Sequence, residues 1–348
     1  ISNPASPVEV GALDTPGYAQ AVAVSGNFAF VADGDSGLRV IGDLSNFSYP
    51  SQTGTLKIIG DVRDLKLRGN TAFLAGQTGL RIVDVSDPSK PVERGHYDTP
   101  GDAQSVDLAG NYAFVADWWR GLRVVDISNP SKPVEVGSYE SGYETFGVFV
   151  AGNYAYLASS GGGLRIVNIS NPASPFEVSY LDTDGRAERV IVRGNYAYLA
   201  DSRGGLDVIN VSNPANPQQV FHFDFLFAYD LALDGNFLYV ADSVEGLFVL
   251  DLSNPALPSI VSTYQYSGAD MHGVAFYKHF AYIADGGNGL TIVDLSNLSQ
   301  PATAGNHSTA NFAWAVEVHN GKAFVADGRG GLYIFSAIEQ VYLPMIRR

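Results

Sequence analysis

The sequence predicts an all-β fold: an eight-bladed β-propeller of four-stranded antiparallel blades, its ring closed by the N-terminal strand. Three features point there: a repeat of steady length, four strand signals per repeat without helical period, and termini that supply complementary parts of one blade. The repeat is marked by a Gly-Leu pair whose leucines are Leu38, Leu80, Leu122, Leu164, Leu206, Leu247, Leu290 and Leu332, at gaps of 42, 42, 42, 42, 41, 43 and 42 residues. Such a period means one supersecondary unit copied along the chain.

Residues 103–144 show the unit. Ala103-Gln104-Ser105-Val106-Asp107-Leu108 alternates toward its end and reads as the first strand. Gly110-Asn111 then signals a two-residue hairpin, because both residues tolerate the positive φ of a type I′ turn. Tyr112 to Ala116, aromatic and β-branched, is the second strand, and Asp117 to Gly121 the next turn. Leu122 to Ile127 is the third strand; Ser128-Asn129-Pro130 stops it, since proline cannot donate to a ladder. Pro133 to Tyr139 is the fourth. A blade of this size cannot bury both faces alone. Val106 and Leu108 are expected to face the next blade, where full burial of one such side chain stabilises by about 1.5–3 kcal/mol.

Closure follows from the ends. The chain opens on a fourth-type strand, Pro7 to Leu13, and its last repeat stops after a third-type strand, Gly331 to Phe335. Pairing them completes the final blade and covers both open edges. The domain reading is therefore one propeller over residues 1–338 and a tail over 339–348. The tail segment Val341 to Arg348 is similar to short Tyr-Leu-Pro tails that end some exported bacterial proteins, and either a sorting role or packing under the ring would suit it.

Composition narrows the function classes. Of 348 residues, 46% are hydrophobic and 16% charged, ample for a buried core. The formal charge of -15 repels phosphate backbones and anionic bilayers, so no nucleic-acid partner and no membrane insertion are expected. With no cysteine there are no disulfides, thiolate metal sites or cysteine nucleophiles. Ile1-Ser2-Asn3-Pro4 matches Ile127-Ser128-Asn129-Pro130, so the chain opens inside a repeat and reads as a processed or trimmed product.

The third-strand motif, Leu80-Arg81-Ile82-Val83-Asp84-Val85-Ser86 and Leu122-Arg123-Val124-Val125-Asp126-Ile127-Ser128, resembles the LVIVD-repeat family over essentially the whole chain. Copies drift: Asn168 and Asn210 replace the Asp, Gly42 precedes a shifted Asp43, and Ser336 ends the set. The resemblance implies a β-propeller and an extracellular or cell-surface location, and brings no catalytic residues.

Two sets of aspartates read as turn chemistry. Asp33, Asp117, Asp201, Asp242, Asp285 and Asp327 follow the second strand, with Gly76 and Ser159 in the other units, and are expected to accept N–H bonds from the residues just ahead. Asp84, Asp126, Asp251 and Asp294 precede Ser and read as caps of the next turn; Asn168 and Asn210, formal glycosylation sequons, take the same place.

Function should lie where the repeats differ. Six residues before the Gly-Asn position come Gln20, Arg63, Gln104, Phe146, Glu188, Tyr229, His272 and Trp314, expected around the mouth of the central channel. Two residues earlier come Tyr18, Asp61, Asp102, Glu144, Arg186, Phe227, Asp270 and Phe312. Trp118-Trp119 sits at a turn where other units carry small residues, and Phe225-Leu226-Phe227 reads as a plug of the mouth. Exposed aromatic clusters mark recognition surfaces. The expected function is therefore a non-enzymatic, exported or surface propeller that binds a glycan, protein or peptide. Trp118, Trp119, Phe146, Tyr229, His272 and Trp314 would stack on it, with Arg63, Gln104 and Glu188 as polar contacts. No cofactor is required; Asp61, Asp102 and Glu144, from consecutive blades, would hold calcium if they converge. Two alternatives are a lyase or glycosidase using His272, Asp270 and Glu188, and a structural subunit of a larger surface assembly whose outer strands make the contacts.

Overall fold

The computed structural model describes residues 9–13, 15–25, 28–42, 51–56, 62–87, 89–224, 227–319, 322–327 and 332–336. Among these residues the strands form eight four-stranded antiparallel sheets, the blades of a propeller. Blades 1 to 8 are numbered here by their inner strands: Ala21–Ser25, Val62–Arg68, Ser105–Ala109, Gly147–Ala151, Arg189–Arg193, Ala228–Asp234, Gly273–Tyr277 and Ala315–His319. Inner strands contact one another in that order, and the last contacts the first. The N-terminal strand Glu9–Leu13 pairs antiparallel with Leu332–Ser336, so it is the outer strand of blade 8. Among the described residues no helix is long and apolar enough to cross a membrane. The tail over 339–348 lies outside the described residues.

The core is a series of layers between blades. Phe73, Leu80 and Ile82 of blade 2 meet Val106, Val115 and Val125 of blade 3. Phe114, Leu122 and Val124 then turn the other face of blade 3 onto Val148, Leu157 and Val167 of blade 4. Val106 thus packs on the preceding blade rather than the next one, because alternate residues of each strand point to opposite faces. The first hairpin also differs in detail from expectation. Gly110 has φ 53° and its counterparts Gly69, Gly152, Gly194 and Gly235 are likewise positive, yet no Asn after them is. A type I′ turn needs both residues positive, so these turns are of another kind.

The turn caps after the third strand follow the sequence reading. Asp84, Asp126, Asp251 and Asp294 accept the N–H of Ser86, Ser128, Ser253 and Ser296 at 2.7–2.8 Å. Asn168 and Asn210 accept from Ser170 and Ser212 at 2.9 Å, so an amide oxygen does the same work.

The other aspartates do something larger than expected. Asp33, Asp117, Asp201, Asp242, Asp285 and Asp327 are fully buried. Each accepts an N–H from the loop that leads into the inner strand of its own blade: Gly17 at 3.1 Å, Gly101 at 2.9 Å, Gly185 at 2.8 Å, Phe227 at 2.6 Å, Asp270 at 2.8 Å and Asn311 at 2.8 Å. Thr15 and Thr99 add hydroxyl donors at 2.5 Å. Among the described residues the side chains of Asp242 and Asp285 also bond residues just ahead, Val244, Glu245 and Asn288, and the backbone carbonyls of Asp33, Asp117, Asp201 and Asp285 accept the N–H of Ser36, Arg120, Gly204 and Asn288. In blade 4 Ser159 replaces the acid, and Thr145 of the loop reaches it at 3.4 Å. Gly101 is required here, since a Cβ on it would sit 2.3 Å from the Asp117 carbonyl. These buried carboxylates therefore fix the loops that carry the variable residues.

Candidate functional site at the channel mouth

Those loops converge on a cavity of 490 Å³ at one end of the channel. All of Gln20, Arg63, Gln104, Phe146, Glu188, Tyr229, His272 and Trp314 line it, one residue from each blade. Among the described residues of the ring two residues earlier, Tyr18 and Arg186 reach the cavity wall.

The mouth has two unlike halves. Blades 6, 7, 8 and 1 give a continuous aromatic arc. Tyr229 lies 4.9 Å from His272 between ring centroids, and His272 lies 4.9 Å from Phe312 and 5.2 Å from Trp314. Phe312 and Trp314 are 4.5 Å apart, and Trp314 donates its indole N–H to the Tyr18 hydroxyl at 3.0 Å. Asp270 holds the His272 ring through Nε2 at 2.8 Å. These separations are those of favourable aromatic pairs.

Blades 2, 3 and 5 give an arc of amide and paired charged groups, with the Phe146 ring of blade 4 among them. Arg63 meets Asp102 at 2.5 Å, and Gln104 donates to the Asp102 carbonyl at 2.9 Å. Arg186 meets Glu188 at 3.2 Å and lies 4.2 Å over the Phe146 ring. Burial raises the Glu188 carboxyl above the usual range, and the nearby arginines offset this only in part.

Below the mouth the inner strands carry charges that face the channel. Arg189 of blade 5 pairs with Asp230 of blade 6 at 3.4 Å, and that carboxylate raises the guanidinium further. Four acids also cap the inner edges of the following blades. Asp64 accepts from Val106 at 3.0 Å, Asp107 from Val150 at 2.8 Å, Asp230 from Val274 at 3.1 Å, and Glu317 from Val24. Innermost edge N–H groups would otherwise face the channel unpaired. Sequence reasoning missed this set. Its signal was there: Asp64, Asp107, Arg189, Asp230 and Glu317 are charged residues standing directly before an apolar one in an inner strand.

Other expected residues lie elsewhere. Trp118 and Trp119 do not line the cavity; they form their own pair at 5.8 Å on the turn between the second and third strands of blade 3. Trp119 is 56% exposed, and Trp118 holds φ 48° at a place where blades 1 and 7 have Gly34 and Gly286. Of the expected metal set, Asp102 and Glu144 are described. Asp102 is engaged by Arg63, Glu144 accepts from Ser160 at 3.4 Å, and Asp61 lies outside the described residues, as do Phe225 and Leu226 of the expected plug. Among the described residues no group of His, Asp and Glu is arranged to hold a metal ion.

A family model described as LVIVD repeat matches residues 1–15, 16–57, 59–99, 100–141, 144–183, 184–224, 227–266 and 268–309. No curated protein sequence matches the chain. Many solved structures share the fold. The computationally designed Ika8 protein is 12% identical with a TM-score of 0.78, covering 94% of this chain and 99% of its own. Sqt1 of Saccharomyces cerevisiae is 10% identical with a TM-score of 0.77, covering 96% and 100%. BamB from Moraxella catarrhalis is 10% identical with a TM-score of 0.71, covering 95% and 99%. At these identities the likeness concerns the fold alone.

Proposed function

The chain belongs to the LVIVD-repeat family, and we propose that it is a non-enzymatic recognition module, exported or surface-exposed, that binds a partner at the channel mouth. The observation that carries this is the convergence of one variable loop position from each of the eight blades on one cavity, part of it walled by contiguous aromatic rings. Flat, partly exposed rings such as Trp314, 36% exposed, supply contact area at little cost in conformational entropy. The propeller supplies rigidity, and buried aspartates hold the loops of six of the eight blades, so the mouth is formed before any partner arrives.

Binding of the intact protein to glycan and peptide arrays tests this. Ligands should be captured by the native protein and lost in a Trp314→Ala, Tyr229→Ala variant, while Val134→Ser on the exposed outer strand of blade 3 should change nothing. Capture that survives the mouth variant and disappears with the outer-strand variant would move the function to the rim of the propeller and favour the structural-subunit reading.

A further inference from the structure

We infer that the mouth takes an uncharged oligosaccharide, a pyranose ring lying against Trp314 and Tyr229 and its hydroxyls meeting Gln104, Glu188 and Arg63. This rests on the mouth being the recognition site.

Charge is the first ground. The charged side chains at the cavity already have partners: Arg63 with Asp102, Arg186 with Glu188 and Arg189 with Asp230, while Asp270 bonds the His272 ring. Asp64 is engaged by two backbone N–H groups, of Leu65 at 2.9 Å and Val106 at 3.0 Å. An ionic ligand would have to break one of these pairs and leave its partner uncompensated, which is costly in a partly buried site. An uncharged ligand rich in hydroxyls uses the spare N–H groups and lone pairs of the same residues without breaking them.

The second ground excludes the commonest way an extended peptide binds a sheet. Such a peptide adds a strand to a free edge and draws its affinity from backbone hydrogen bonds. Inner-strand N–H groups of blades 1, 3, 4 and 7 are already taken by the carboxylates of Glu317, Asp64, Asp107 and Asp230. The channel therefore offers rings and side-chain polar groups rather than a backbone template.

The third ground is the shape of the apolar wall. It is weighted to one side: the rings of blades 6, 7, 8 and 1 stand together, and across from them Phe146, under the Arg186 guanidinium, is the one ring among hydrogen-bonding groups. A pyranose has the same division, with an apolar C–H face and an equatorial belt of hydroxyls.

The test is calorimetric titration of the intact protein with neutral gluco-, manno-, galacto- and xylo-oligosaccharides, with uronate and sulfated counterparts, and with unstructured peptides. At least one neutral oligosaccharide should bind, with an affinity that changes less than about twofold on raising salt, because no ion pair forms across the interface. Trp314→Ala should weaken it about tenfold or more, and Trp314→Phe should restore most of the loss. Thermal melts of both variants control for folding. Binding of only the charged sugars, failure of every neutral sugar, or indifference to Trp314→Ala would each overturn the inference. Peptide binding that Trp314→Ala abolishes would overturn it too, while leaving recognition at the mouth intact.

Discussion

Blades 6, 7, 8 and 1 furnish the mouth with contiguous rings, whereas blades 2, 3 and 5 furnish it with charged and amide groups and blade 4 with a single ring, Phe146, on one backbone frame repeated around the channel. The aromatic arc is held by ring contacts worth about 0.5–1.5 kcal/mol each beyond burial, and these respond little to salt. The charged arc is held by pairs such as Arg63 and Asp102, whose side chains are 24% and 20% exposed. Pairs in that setting contribute about 1 kcal/mol or less. Affinity and orientation are thus divided: the rings supply contact area, and the charges fix where a partner's polar groups can sit.

The sharpest way to break this comparison is to release one loop from each arc. Asp117 holds the loop carrying Asp102 and Gln104, and it also meets the buried Arg123 at 3.4 Å. Asp242 holds Phe227 at the edge of the aromatic arc through backbone N–H groups, without an arginine among its partners here. Asp117→Ala should therefore cost about 3 kcal/mol, since it unpairs the Thr99 and Gly101 donors and leaves the buried Arg123 only the more exposed Glu135 and Glu140. Asp242→Ala should cost about 1–3 kcal/mol for the unpaired donors. Urea denaturation of both variants checks the order. Equal losses would mean that the arginine adds nothing to the pin.

A smaller effect is expected from acidity. Burial raises Asp201, in blade 5, to about 7, and Asp207 nearby adds to the rise. Burial likewise raises Glu317, in blade 8, to about 7. Both groups titrate near 4 when the chain is unfolded. Between about pH 4 and pH 7 the folded protein therefore holds protons that the unfolded chain has released. Stability should fall as pH rises through that window and level off above it. Melting temperatures recorded from pH 4 to pH 8 should show this decline, and Asp201→Asn should flatten part of it. A rise in stability across the same window would contradict the assignment.

The smallest effect concerns the tryptophan pair outside both arcs. Trp118 carries a left-handed φ that suits glycine. Trp118→Gly should raise stability by about 0.5–1 kcal/mol and leave binding at the mouth untouched. Loss of mouth binding in that variant would return Trp118 to the recognition surface.

The fold was largely legible, because period, turn residues and strand patterning all agree along the chain. The ring of variable residues was legible too: counting back from each Gly-Asn position finds every blade's contribution to the cavity. What escaped was whatever depends on which blade faces which. The link between Asp117 and Gly101 spans 16 residues, and the one between Asp64 and Val106 joins separate blades 42 residues apart. Local turn chemistry explains the caps at Asp84 and Asp126 but not these. Trp118-Trp119 stands apart for a related reason: an aromatic pair at a turn looks like part of the mouth in the sequence, and neither ring lines the cavity.

Internal covariation gives a clue that could have been used. Blades 1 to 4 carry Arg39, Arg81, Arg123 and Arg165 on the third strand, whereas blade 5 has Asp207 there. Its cross-strand neighbours change with it: Arg123 lies near Glu135 at 3.6 Å, and Asp207 accepts instead from Gln219 at 2.6 Å and bonds His222 at 2.7 Å. Residues that change together across the repeats are residues in contact.

The central claim is that partners meet the aromatic arc. The protein has three tryptophans, so a Trp118→Phe, Trp119→Phe variant leaves Trp314 as its single indole reporter. Titrating it with the neutral oligosaccharides and peptides while following indole emission tests the claim directly. The account predicts a saturable change in emission whose midpoint matches the calorimetric affinity. Binding seen by calorimetry with no change at Trp314 would contradict it.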